Sequence, residues 1–248
     1  MVKKEKEQRR LLETKSKREG NKMGFLAEKG IKAICFDIDG TLYPKRETNI
    51  YLLKAAIKHP IFSWRYNKMR VQIRKEDGLK AIPATTLSAF RERECKIMFG
   101  KPKKEYQEKY LSYLYEPWCY YDQKIKRFEG LLEFLDKVKS ESYKIGFLSD
   151  FPIGNKVDVL GLTIYPSFVA SSEDYGTLKP NATPFIKMAE EMHLKPSEIL
   201  YVGDSYSKDV TGSKNAGMNS VMITKKNGSY PLADIVVKNY FELMERLF

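Results

Sequence analysis

A short apolar run at residues 31–36 ends abruptly in Asp37-Ile38-Asp39-Gly40-Thr41. A run of this length, bounded by polar and turn residues, predicts a buried strand. Carboxylates spaced i, i+2 leave an extended backbone on the same side. Two carboxylates held together repel, so a cation or a phosphate-handling task is needed to keep them there. Gly40 lets the chain turn sharply and bring backbone N–H groups close to a ligand. Further apolar runs at 144–148, 167–170, 199–202 and 219–223, with a sixth candidate at 235–237, predict more strands. Helical patterns separate them. Leu131, Leu135 and Val138 repeat at i, i+4, i+7. Thr183 and Pro184 read as N-cap and first helical residue, with Phe185, Met188, Ala189 and Met192 as the buried stripe. A further helix is expected over 207–216, stopping at Gly217. Alternating strand and helix predicts an α/β fold: a Rossmann-like, three-layer α/β/α core with a parallel sheet and ligands at the carboxyl ends of the strands.

The polar residues released at those ends come in a particular order. The run 145–148 ends at Ser149, Lys179 stands directly before Pro180, and 199–202 releases Gly203, Asp204 and then Asp209. Asp-x-Asp-Gly-Thr, Ser, Lys-Pro and Gly-Asp-x4-Asp in this sequence order resemble the haloacid dehalogenase (HAD) superfamily over about residues 31–224. The resemblance implies that residues 30–44 and 128–248 form the core and that 45–127, which contain no convincing strand, form an α-helical cap over the active site. It implies Asp37 as the nucleophile that forms an aspartyl-phosphate, and Asp39 as general acid and then general base. Ser149 can donate its hydroxyl to a phosphoryl oxygen, and Lys179 supplies a fixed positive charge beside Asp37. Mg2+ is the expected cofactor, because the site offers hard oxygen ligands without Cys or His. Its implied ligands are the Asp37 carboxylate, the Asp39 backbone carbonyl and Asp204. Asp209, in the first turn of the following helix, is expected at or just behind that set.

Asp39 separates subfamilies. Haloacid dehalogenases lack an aspartate at that position, since departing halide needs no proton, so phosphoryl transfer is expected. Thr41-Leu42-Tyr43-Pro44 is similar to the pyrimidine 5′-nucleotidase-like branch, from which Gly40 departs. The leading expectation is a phosphatase acting on a small anionic phosphorylated metabolite of nucleotide or sugar phosphate type. A phosphomutase or dehalogenase is the alternative within the family, and a basic nucleic-acid- or protein-binding module on a HAD core is the alternative outside it.

Charge bears on the last option. The net charge is +12. Residues 45–127 carry 20 Lys and Arg against 9 Asp and Glu, and residues 1–30 carry 10 against 5, while 128–248 carry 13 against 16. Residues 1–29 are expected to form a basic, flexible tail, with Met23 as a candidate start. The basic residues from Lys68 to Lys104, with Arg70, Arg74, Arg91 and Arg93 among them, read as a solvated face whose field draws anions into the cleft, with at least one of them expected to contact the substrate. Tyr106, Tyr110 and Tyr113, at i, i+4, i+7, predict a packed helix face. Cys35, Cys95 and Cys119 are widely spaced with no C-x-x-C pair, so neither a disulfide framework nor a zinc site is expected. His59 and His193 are isolated and expected at the surface. No run of about 18 apolar residues offers a membrane span, and so charged an N-terminus is not expected to act as a secretory h-region. A cytoplasmic protein is expected.

Overall fold

The computed structural model describes residues 24–101, 105, 112–113 and 125–248. The first strand, β1 (Ala33–Phe36), is buried along its whole length. Ile34 and Phe36 belong to a core on one face, Ala33 and Cys35 to a second core on the other. That division follows from the two-residue period of a strand, and burial on both faces is why the run is apolar throughout. The other strands are β2 (Lys144–Ser149), β3 (Phe168–Ser171), β4 (Ile199–Gly203), β5 (Asn219–Ile223) and β6 (Ile235–Val237). They form one six-stranded sheet in the order β3-β2-β1-β4-β5-β6, with every neighbouring pair parallel.

The chain builds outward from β1 through β2 and β3, then restarts on the opposite side at β4. Such a reversal opens a crevice at the carboxyl ends of the two central strands. Phe36 lies in register with Phe147 of β2 and Val202 of β4. Asp37, Ser149 and Asp204 therefore emerge at one edge of the sheet.

The described helices are α1 (Phe25–Glu28), α2 (Arg46–Lys58), α3 (Pro60–Asp77), α4 (Leu87–Phe99), α5 (Leu131–Ser140), α6 (Lys156–Val159), α7 (Thr183–Glu191), α8 (Thr211–Asn215) and α9 (Tyr240–Leu247). Phe134, Leu135 and Val138 of α5 and Leu243 and Leu247 of α9 cover the first face of the sheet. Phe185, Met188 and Ala189 of α7 cover the second. Removing a large aliphatic or aromatic side chain from water contributes ~1.5–3 kcal/mol, so these two layers hold the sheet that carries the site.

Several local expectations need correction. Residues 25–28, assigned by composition to the tail, form α1, and Leu26 is buried in the first core. Thr183 is the first residue of α7 rather than its cap. Its hydroxyl is engaged with the backbone of Ile82, while Asn181 Oδ1 accepts the Thr183 N–H at 2.9 Å. The expected helix at 207–216 divides into a π turn, Tyr206–Val210, and α8. His193 is exposed, but His59 is half-buried and stacks on Tyr113 with ring centroids 3.7 Å apart. Tyr113 also meets Phe62 edge-on, in keeping with a packed face. Tyr106, Tyr110, Cys119 and residues 1–23 lie outside the described residues. Cys35 and Cys95 are both buried and in no disulfide.

The largest difference concerns the arginines between residues 45 and 127. Helices α2–α4 share a cluster that includes Phe62, Tyr66, Met69, Ile73 and Phe90. Arg70 and Arg91 are not part of a solvated face; both are buried and both donate to Glu173, next to β3. Arg70 also donates to the Asp150 carbonyl at 2.6 Å. Arg74 reaches the Asp150 carboxylate at 2.5 Å and the Lys179 carbonyl at 2.9 Å. Arg93 pairs with Asp77 at 2.7 Å and Glu76 at 2.8 Å. Backbone bonds extend the joint, with Ala182 N–H donating to the Leu79 carbonyl and Asn181 Nδ2 to the Lys80 carbonyl. A residue count of charge cannot see that Arg70, Arg74 and Arg91 find acidic partners, Asp150 and Glu173, in the other part of the chain.

Candidate active site

A cavity of about 240 Å³ opens at the switch in strand order. Asp37, Asp39, Asp150, Lys179, Asp204 and Asp209 line its floor, and Lys45, Thr48, Asn49 and Leu52 line its opposite wall. Asp37 directly follows β1, and its N–H continues the ladder by donating to Val202 O at 3.0 Å. Its Oδ2 accepts from the Thr41 hydroxyl at 3.1 Å, which explains one use of the threonine in the motif. Gly40 has φ +95°, and an added Cβ would stand 2.7 Å from Asp204 Oδ2. The motif needs glycine there both for the turn and for the approach of Asp204.

Lys179 organises the floor. It is fully buried, and its Nζ lies 2.9 Å from Asp37 Oδ1 and 3.0 Å from Asp209 Oδ1. The Leu148 carbonyl and the Tyr201 hydroxyl are each 2.6 Å away. Burial alone would lower its pKa, but Asp209 and Asp37 outweigh it and raise the pKa well above the ordinary value. Gly203 permits this arrangement, since a Cβ there would sit 2.2 Å from Asp209 Cβ. The second Asp209 oxygen accepts the Ser205 N–H at 3.0 Å.

The acidic groups crowd one another. Burial, and next the charge of Asp209, pushes the Asp37 carboxyl up to about 6 despite Lys179. Burial and Asp37 raise Asp204, and burial raises Asp209 as well. One oxygen from each of Asp37, Asp204 and Asp209 can be chosen so that all three lie within 4.8 Å of one another. Three hard oxygen donors whose pKa values are raised by burial and mutual repulsion fit a divalent cation, which would remove the repulsion. Lys45 Nζ stands 2.6 Å from Asp204 Oδ2 and supplies part of that compensation.

Asp39 sits in a different environment. Its two oxygens accept from the Tyr43 hydroxyl, from Ser149 Oγ at 3.1 Å, and from Lys156 Nζ at 3.0 Å each. Burial works against its charge, but Lys156, Tyr43 and Ser149 more than offset this and hold its pKa below the ordinary value. Ser149 is fully buried, and its oxygen also accepts the Phe151 N–H. Its hydroxyl is thus turned to Asp39 rather than into the cavity. The neighbouring Asp150 faces the cavity instead. Burial opposes its charge, yet Arg74, Arg70 and Lys208 keep its carboxyl far below the usual range.

The structure thus brings Asp37, Asp39, Ser149, Lys179, Asp204 and Asp209 together from four separate loops. It adds the side chains of Tyr43, Lys45, Asp150 and Lys156, to which sequence reasoning gave no role in the site. Tyr43 and Lys45 lie in the tail of the first motif and Asp150 next to Ser149, so proximity to a motif was an available signal. Lys156 carried none, because a lysine at the start of a short helix reads as a surface residue.

The model of the family described as haloacid dehalogenase-like hydrolase matches residues 34–223. A glyceraldehyde 3-phosphate phosphatase of Methanopyrus kandleri is 26% identical over 81% of this chain and 86% of its own. The pyrophosphatase PpaX of Bacillus mycoides is 27% identical over 78% of this chain and 84% of its own. Among solved structures, a HAD phosphatase from Thermococcus onnurineus aligns with TM-score 0.58 at 24% identity, covering 87% of this chain and 97% of that one. CbbY from Rhodobacter sphaeroides aligns with TM-score 0.63 at 13% identity, covering 88% and 99%. At these identities the two structures speak to the fold.

Proposed function

We propose a reaction for this chain from one premise: it belongs to the haloacid dehalogenase-like hydrolases, whose model spans most of its length. It hydrolyses a small phosphate monoester, of sugar phosphate or nucleotide type, through an aspartyl-phosphate on Asp37. The observation that carries this reading is the buried Lys179 ammonium placed between Asp37 and Asp209, with Asp204 close by. Relatives named for acting on a phosphorylated triose and on pyrophosphate support the phosphoryl group as the part recognised.

Asp37 attacks phosphorus as the bond to the leaving oxygen breaks, and water then attacks the phosphorus of the acyl phosphate to return Asp37 and release inorganic phosphate. Lys179 fixes the attacking carboxylate and balances charge on the phosphoryl oxygens. Asp37 and Asp204, with Asp209 at or just behind them and the Asp39 carbonyl alongside, would hold Mg2+. Bound there, the ion would neutralise charge on the phosphoryl oxygens and favour the ionised form of Asp37. Asp39 handles protons. The ionised form favoured by Lys156 is the one that takes a proton from water, and the protonated minority serves the leaving oxygen. The segment 45–127 acts as the cap that contributes Lys45, Thr48, Asn49 and Leu52 to the cavity wall. A polyanion-binding role finds less support, because Arg70, Arg74, Arg91 and Arg93 are all engaged inside the molecule.

Screening phosphorylated metabolites with added Mg2+ and reading inorganic phosphate tests this function; no release from any ester would overturn it. EDTA treatment is expected to abolish release and Mg2+ to restore it, with Asp204→Ala raising the Mg2+ requirement sharply. Full activity after exhaustive chelation would remove the metal from the mechanism. Where cleavage of the ester bond limits the rate, Asp39→Asn is expected to slow alkyl phosphates more than p-nitrophenyl phosphate, whose nitrophenolate leaves without a proton. The gap should approach the ~10²–10⁴-fold that general acid–base help supplies. Equal losses on the two substrates would take Asp39 out of proton transfer to the leaving group.

A further inference from the structure

We infer that Lys156 is the positioning residue for Asp39: a buried ammonium that fixes the carboxylate at the edge of the cavity in the orientation the reaction uses. This rests on the phosphatase reading and adds to it a residue outside the four signature motifs.

Lys156 opens α6, after the loop that leaves β2. Its side chain is 0% exposed, a rare state for lysine that requires pairing. Its Nζ contacts both oxygens of Asp39 at 3.0 Å. Tyr43 and Ser149 each reach one oxygen, whereas Lys156 spans the carboxylate and sets its plane. The three donors come from three places: the tail of the first motif, the end of β2, and α6. With the lysine removed, one neutral donor on each oxygen would leave the carboxylate free to turn toward Lys179 or into the cavity.

Stability does not account for the pair. Burying two charges costs several kcal/mol, and well-packed apolar residues of similar volume commonly do as well or better. A rigid carboxylate two residues from the nucleophile accounts for it better, since proton transfer demands placement within a fraction of an ångström.

The test compares Lys156→Met, Asp39→Asn and the double variant on an alkyl phosphate and on p-nitrophenyl phosphate, under conditions where cleavage of the ester bond limits the rate. Lys156→Met is expected to lower kcat on the alkyl ester by about 10–10²-fold, with less than about threefold change on the nitrophenyl ester and little change in KM. A counter-ion with only a structural role would not produce that leaving-group split. Should Lys156→Met leave Asp39 buried, unpaired and the protein unfolded, the double variant removes both charges and keeps the comparison possible. It is expected to match Asp39→Asn within about twofold on both esters, because Lys156 acts through Asp39. Equal losses on both esters, no loss on either, or a further tenfold loss in the double variant would overturn the assignment. A wild-type protein that releases no phosphate from any ester in the metabolite screen would overturn the phosphatase reading, and this one with it.

Discussion

Asp37→Asn is expected to reduce phosphate release by on the order of 10⁴-fold or more, the scale of losing a covalent nucleophile. The amide keeps the size and shape of the carboxylate but cannot form an acyl phosphate. The fold should persist. Lys179 retains Asp209, the Leu148 carbonyl and the Tyr201 hydroxyl as partners, and the substituted amide can turn its oxygen to Lys179 and donate its NH2 to the Thr41 hydroxyl. Burial and Asp209 already press the Asp37 carboxyl up to about 6, so removing its charge relieves repulsion in the metal-free protein. A melting temperature equal to or above that of the wild type is expected together with the loss of turnover. Release within tenfold of wild type from the folded variant would show that another group attacks phosphorus.

Glu173→Ala is expected to cost about 3–5 kcal/mol of stability, the range for breaking a buried ion pair by removing one partner. Glu173 is 0% exposed and accepts from both Arg70 of α3 and Arg91 of α4. Its loss strands two guanidinium groups that sit at 3% and 5% exposure. Arg91 keeps Glu94, and Arg70 keeps the carbonyl and carboxylate of Asp150, which limits the cost. The control is Lys137→Ala, which breaks the exposed i, i+4 pair with Glu141 and should cost less than about 0.5 kcal/mol. Urea unfolding of the two variants provides the comparison. Equal, small losses would show that the buried pairs contribute no more than surface ones.

The sheet and the floor of the site were readable in the sequence because both follow from local rules. A strand buried on both faces is an apolar run, and a polar residue directly after it must emerge at the sheet edge; Asp37, Ser149 and Asp204 obey this. The order of those residues then supplied the family. What the sequence hid are contacts set by distant partners. Arg70 meets Glu173 across 103 positions, and Lys156 meets Asp39 across 117. Nothing in the neighbourhood of an arginine on a helix tells whether it faces water or a carboxylate from another part of the chain. Ser149 shows the same limit at shorter range. Its place at the end of β2 was predictable, but the direction of its hydroxyl depends on where the Asp39 carboxylate lies.

The joint between α3 and the loops that follow β2 and β3 has a consequence for how the molecule opens. Arg70 and Arg74 hold Asp150, Asp77 accepts from Thr177 at 2.6 Å, and the segment that follows α3 bonds to residues 181–183. Swinging these helices away as a rigid lid would leave several charges unpaired at once. Amide hydrogen exchange should therefore find the protons in the interior of α3 as slow as those of β1, released in the same cooperative event as the sheet.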